Sequence, residues 1–121
     1  MYLSVACGGA LGACLRYYFS QLSIKLLGNG FPFGILILNV LGSFVLGLVY
    51  AYLEQKQGVS IHFKLFVGVG LLGALTTFST FSYETVVLFQ QTEYLKAVLN
   101  VFLNVSLCLL GVWLAFLLVK G

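Results

Sequence analysis

Long apolar runs alternate with short polar breaks along this chain, and each run has the length of a membrane span. The runs extend from about Tyr2 to Leu22, Phe33 to Leu53, Phe63 to Phe89 and Tyr94 to Val119. An α-helix rises about 1.5 Å per residue, so about 20 mostly apolar residues cross a hydrocarbon core about 30 Å thick. Each run therefore predicts one transmembrane helix, and four of them bring both termini to the same face. The breaks carry turn chemistry: Gly28-Asn29-Gly30 and Pro32 before the second helix, Gln55 to Ser60 before the third, and Gln90-Gln91-Thr92-Glu93 before the fourth. No linker divides the chain, so residues 1–121 read as one four-helix domain. The first run lacks a basic region before it and continues too far for a signal peptide, which makes it a retained helix.

Composition sharpens this picture. Of 121 residues, 61% are hydrophobic and 7% charged, against about 25% charged in soluble domains. An all-α integral membrane protein is predicted, with no room for a soluble catalytic domain. There is one His, no carboxylate pair, and no HExxH, GxSxG or phosphate-loop motif, so enzymatic activity is not expected. The six basic residues are scattered singly, which argues against nucleic acid as a partner. Cys7, Cys14 and Cys108 sit in apolar runs without CxxC spacing and read as small apolar residues.

Orientation follows the balance of Lys and Arg between the two faces. Lys56, Lys64 and Lys120 fall on the face with the termini, and Arg16, Lys25 and Lys96 on the other. This level balance permits insertion both ways, which would allow two copies to pair antiparallel about an axis in the membrane plane.

Small and polar residues recur at i, i+4 spacing: Gly8, Gly12 and Arg16; Asn39, Ser43 and Gly47; Asn100, Asn104 and Cys108. Such rows permit close helix approach and interhelical hydrogen bonds. Asn39 lies in mid-span, where its amide serves equally as interhelical glue or as part of a pore. Arg16, near the end of the first run, reads as a snorkelling or capping residue or as an electropositive entrance for an anion. His62 reads as a solvated loop residue. Most tyrosines lie near the run ends, as aromatic anchors do, while Trp113 sits somewhat deeper.

The third run is the anomaly. Gly73-Ala-Leu-Thr-Thr-Phe-Ser-Thr-Phe-Ser-Tyr-Glu84 sets Thr76, Thr77, Ser79, Thr80 and Ser82 around a helix, with Phe78 and Phe81 three apart on one face. Hydroxyls compete for main-chain hydrogen bonds and Gly73 weakens a helix, so an interruption here is physically plausible, though composition alone does not prove it. A broken membrane helix frees carbonyls and N–H groups that can hold ions at the midplane.

With these residues in view, the sequence resembles the Fluc (CrcB-type) fluoride channel family. The likeness runs through Gly8 to Tyr17, Phe33 to Phe44, and above all Gly73 to Glu84 with its Thr-Thr-Phe-Ser-Thr-Phe core. It implies a passive channel exporting fluoride across the cell membrane, built as an antiparallel dual-topology homodimer with two pores and a central structural sodium ion. It implies Asn39, Phe78 and Phe81 as pore-lining, with Ser79, Thr80 and Ser82 as hydroxyl donors. The carbonyls of Gly73 and Thr76 match the sodium positions. Glu84 reads as a helix-end carboxylate or as a vestibule or gating group.

The chemistry is consistent with such a pore. Fluoride is small and strongly hydrated, so donors must replace its water without trapping it. Aromatic ring edges are electropositive and add weak attraction. One departure concerns the fourth helix, where Asn100, Asn104 and Cys108 stand in place of a Tyr and Ser track; Asn104 is expected in the pore wall. A substituted track also suits a subunit that pairs with a paralogue. The alternative is a small dual-topology proton-coupled multidrug exporter, which wants a carboxylate in the first helix. The only acids here are Glu54, Glu84 and Glu93. A packing or holin-like assembly would leave the Phe and hydroxyl spacing without a purpose.

Overall fold

The computed structural model describes residues 1–120, and its regular elements there are all helical. Helix α1 spans Tyr2–Leu27, α2 Phe33–Gln55 and α6 Tyr94–Lys120. Between α2 and α6 the chain forms a single turn, α3 (Ile61–Lys64), then a π-helical stretch (Leu65–Leu72), a last short turn, α4 (Gly73–Leu75), a break, and α5 (Phe78–Gln90).

Helix α1 outlasts its apolar run by five residues. Its stop is Gly28, where φ is +79° and the N–H closes on Ile24 O at 2.8 Å. A positive φ suits a residue without a Cβ, and glycine past the last turn is the usual helix terminator. The polar positions Ser20, Gln21 and Ser23 therefore end the apolar run without ending the helix. Arg16 consequently lies in the middle of α1, not near its end.

Among the described residues, three helical segments are long and apolar enough to cross a membrane: Phe33–Gln55, Ile61–Gln90 as a composite, and Tyr94–Lys120. Helix α1 is as long, but Arg16, Lys25 and the polar positions between them dilute it. The burial pattern is that of a multi-pass membrane protein. Asn39, Thr85, Asn100 and Asn104 are buried, while Leu3, Phe102, Leu109, Trp113 and Leu118 face outward. Polar groups turn inward because lipid offers them no hydrogen bonds.

The start of α1 and the end of α6 meet the helix ends that flank the α2–α3 connection. Ser4 Oγ lies 3.1 Å from His62 Nδ1, and Lys120 Nζ lies 3.4 Å from Glu54 Oε2. Two close packings hold the bundle. Helix α2 presses on α6 where a Cβ on Gly47 would come within 2.8 Å of Ala115 Cβ. Helix α1 presses on the π-helical stretch, where a Cβ on Gly8 would collide with Phe66 O and one on Gly12 with Leu71 O. The Gly8, Gly12, Arg16 row thus runs along the third segment, as small-residue interfaces between membrane helices do.

Candidate functional site

The third segment breaks at Thr76-Thr77, three residues beyond Gly73. Thr76 is extended (φ −86°, ψ 156°), and so is Thr77 (φ −156°, ψ 126°). In an extended residue the N–H and C=O point nearly the same way, so one amide can bind both. Asn39 does this. Its Oδ1 accepts from Thr77 N–H at 2.8 Å, and its Nδ2 donates to Thr77 O at 3.2 Å. An unbroken helix would send the Thr77 N–H to Gly73 O, four residues back. By capturing that N–H, Asn39 leaves the Gly73 carbonyl without its usual helical donor.

The two sides of the break are capped differently. On the α4 side, Arg16 Nε donates to Ala74 O at 2.9 Å, replacing a lost helical donor with a charged one. Thr76 Oγ1 turns back to Leu72 O at 3.0 Å. Its methyl fits against Gly42, where a Cβ would have collided with it. On the α5 side, Thr77 Oγ1 accepts from Thr80 N–H at 3.2 Å, a side-chain N-cap. This hydroxyl also lies 3.2 Å from Ser79 Oγ and donates to Thr80 Oγ1 at 3.3 Å. Ser82 Oγ donates to Phe78 O at 2.9 Å.

A groove of about 430 Å³ opens beside the break. Asn39, Gly73, Thr76, Phe78, Phe81 and Asn104 all line it, together with Ser43, Thr77 and Cys108. The rings of Phe78 and Phe81 stand 5.4 Å apart at 51°. Phe81 is buried, whereas Phe78 is 76% exposed and presents its ring to whatever covers this face. Asn39 makes a third hydrogen bond here, from Nδ2 to Asn104 Oδ1 at 3.0 Å. Both of its N–H groups are thus engaged by protein in this state.

Ser79, Thr80 and Ser82 lie on the first turns of α5 and do not line the groove. Glu84 is also apart from it. Its side chain borders a second cavity of about 190 Å³, formed with the end of α1 and the α1–α2 connection. There Glu84 Oε1 and Ser20 Oγ are buried without protein partners. Arg16 touches the break itself.

Two participants, Asn100 and Thr85, are absent from the site expected on sequence. Asn104 Nδ2 donates to Asn100 O at 2.9 Å and to Asn100 Oδ1 at 3.0 Å. Asn100 Nδ2 donates to Thr85 Oγ1 at 2.9 Å, and Thr85 Oγ1 to Phe81 O at 2.8 Å. The i, i+4 spacing of Asn100 and Asn104 was a signal for the first. Thr85 carried only its position four residues after Phe81.

A family profile described as CrcB-like protein, Camphor Resistance (CrcB), matches residues 3–116. The chain is 57% identical over 112 residues to a "Fluoride-specific ion channel FluC" of Shewanella oneidensis, covering 93% of this chain and 90% of that protein. It is 59% identical to the protein of that name from Shewanella denitrificans and 56% to one from Shewanella baltica, with the same coverage. With matches of this extent across its helices and through the broken segment, the chain belongs to the CrcB-like protein family.

Proposed function

We propose that this protein is a fluoride-selective passive ion channel that lets fluoride leave the cytoplasm, and not an enzyme. The observation that carries the reading is the groove at the broken third segment, which gathers Asn39, Thr77, Phe78, Phe81 and Asn104 at one place in an apolar bundle. The name borne by the similar Shewanella proteins supports the same substrate.

In this reading four helices cross the membrane, with α1 completing the set, and two copies pair in antiparallel, dual-topology fashion to give two pores. The partner is a second copy of the chain or a paralogous subunit. Its apposition would cover the groove and the exposed Phe78 ring, which otherwise leave polar groups open to lipid. With Arg16 placed beside the break, the loop charges are Lys56, Lys64 and Lys120 against Lys25 and Lys96, still too even to enforce one orientation.

Fluoride passes by exchanging water for weak, replaceable donors. The rings of Phe78 and Phe81 offer electropositive edges and set the width. Ser79, Thr80 and Ser82 offer hydroxyl protons near the start of α5, and Asn39 and Asn104 offer amide protons when their mutual bonds open. Arg16 and Glu84 belong to the approaches, Arg16 also stabilising the end of α4.

A sodium ion suits the main-chain oxygens at the break. Gly73 O has lost the Thr77 N–H, and Thr76 is extended with its hydroxyl turned away to Leu72 O. A hard monovalent cation takes such carbonyl oxygens at the ends of broken helices. The Gly73 and Thr76 carbonyls would hold it, and when bound it supplies fixed positive charge beside the anion path.

The test is efflux from liposomes holding the purified protein, followed with fluoride and chloride electrodes. Fluoride release without a proton gradient, with chloride retained, is expected. Equal release of chloride would defeat the reading.

A further inference from the structure

The hydrogen-bonded path from Asn39 begins and ends on one short stretch of main chain. It starts at Thr77 N–H, passes through the side chains of Asn39, Asn104, Asn100 and Thr85, and finishes on Phe81 O, each step between 2.8 and 3.0 Å. Three elements are crossed, α2, α6 and α5, and all four side chains are buried.

The sense of every bond is dictated by main-chain groups: Thr77 N–H and O at one end, Phe81 O at the other, and Asn100 O, which accepts from Asn104 Nδ2, between them. A main-chain N–H can only donate and a carbonyl can only accept. Thr85 gives its single proton to Phe81 O, so its oxygen offers Asn100 only lone pairs. Asn100 must then present its NH2 to Thr85 and its Oδ1 to Asn104. Asn104 in turn must present NH2 to Asn100 and Oδ1 to Asn39. Asn39 is left with Oδ1 facing Thr77 N–H, the orientation that holds the break open. Reversing any one amide would set donor against donor or acceptor against acceptor in a buried place, where unmatched polar groups are costly.

We infer that Thr85 and Asn100 are positioning residues that, through Asn104, fix the amide of Asn39 in the sense that captures Thr77. They thereby set the break and the seat of Phe81 without touching the permeating ion. Neither lines the groove. Their importance for conduction rests on the channel reading above; their hold on Thr77 does not.

The test compares full-length protein carrying Thr85→Val, which keeps the side-chain shape without the hydroxyl, with Thr85→Ser, which keeps the hydroxyl. Two quantities are read: hydrogen exchange at the Thr77 amide in detergent micelles, and the fluoride-to-chloride permeability ratio in liposomes. In Thr85→Val the Thr77 amide is expected to exchange about tenfold faster and the permeability ratio to fall about tenfold, as for loss of one buried, matched bond. Thr85→Ser should stay within about twofold of the parent in both, because the same donor and acceptor remain.

If Thr85 only packs α5 on α6, the Thr77 amide will exchange at the parent rate in Thr85→Val, and the inference is overturned. It is equally overturned if Thr85→Ser behaves like Thr85→Val. Should Thr85→Val fail to assemble, Asn100→Ser, too short to reach both Asn104 and Thr85, must speed Thr77 exchange; unchanged exchange there overturns the inference too. A parent protein that passes no fluoride would sink the channel reading, while Thr77 exchange would still decide the positioning role.

Discussion

Replacing Asn39 by Leu keeps a γ-branched side chain and removes every hydrogen bond that Asn39 makes at the break. Those are the bonds with Thr77 N–H, Thr77 O and Asn104 Oδ1, at 2.8, 3.2 and 3.0 Å. Interhelical hydrogen bonds in membrane proteins contribute about 0.6 kcal/mol each, which puts the three at about 2 kcal/mol. Two corrections act in opposite directions. The freed Thr77 N–H can return to Gly73 O and recover about one bond, lowering the loss to about 1 kcal/mol. The Asn104 carbonyl is left buried and unmatched, raising it toward about 3 kcal/mol. A destabilisation of about 2 kcal/mol is therefore expected in reversible detergent-denaturation titrations. Fluoride flux should fall with it, because healing of the helix closes the break. Asn39→Asp separates the contributions, since it still accepts from Thr77 N–H but can no longer donate when ionised. A loss below about 0.5 kcal/mol in Asn39→Leu, the level of an ordinary surface substitution, would refute the idea that Asn39 holds the break.

Other substitutions probe neighbouring parts of the structure. Gly12→Ala places a methyl against Leu71 O and should cost about 1–3 kcal/mol in the same titration, whereas Gly9→Ala meets nothing within 4 Å and should be neutral to about 0.5 kcal/mol. Arg16→Met removes the donor to Ala74 O while keeping much of the stem, and should loosen the end of α4, read as faster exchange at Thr76 N–H; an unchanged rate would mean that Arg16 does not cap α4. Phe81→Ile should lower fluoride flux while the protein still assembles, and undiminished flux would remove Phe81 from the path. Charge reversal of the exposed Glu54–Lys120 pair should change stability by less than about 1 kcal/mol.

The sequence was most legible where one physical force acted alone. Apolar runs located α2 and α6 to within two residues, because in lipid the length of such a run and the length of the helix nearly coincide. The end of α1 was misjudged because Ser20, Gln21 and Ser23 mark a change of polarity and only Gly28 stops the helix. That error carried Arg16 to the wrong depth. The hydroxyl cluster made an interruption plausible, yet its position at Thr76-Thr77 depends on an Asn39 amide 38 residues away. The π-helical stretch had no signature in the pattern, since it arises where the third segment packs against Gly8 and Gly12 of another helix. Asn39, Phe78, Phe81 and Asn104 were singled out through motif and spacing, and the structure sets them along one groove. Ser79, Thr80 and Ser82 were chosen for their hydroxyls, but in this structure those groups bond locally around the start of α5. Thr85 was passed over because a single threonine on an apolar helix looks like any other until its partner, Asn100, is beside it.

The most direct measurement is the reversal potential of the purified protein in a planar bilayer, with fluoride graded across the membrane and chloride and proton gradients varied independently. A fluoride-selective passive channel predicts a potential that shifts by about 59 mV per tenfold change in the fluoride gradient, as for a monovalent ion, and ignores the other two gradients. A potential that follows chloride, or that moves with pH at fixed fluoride, would contradict it.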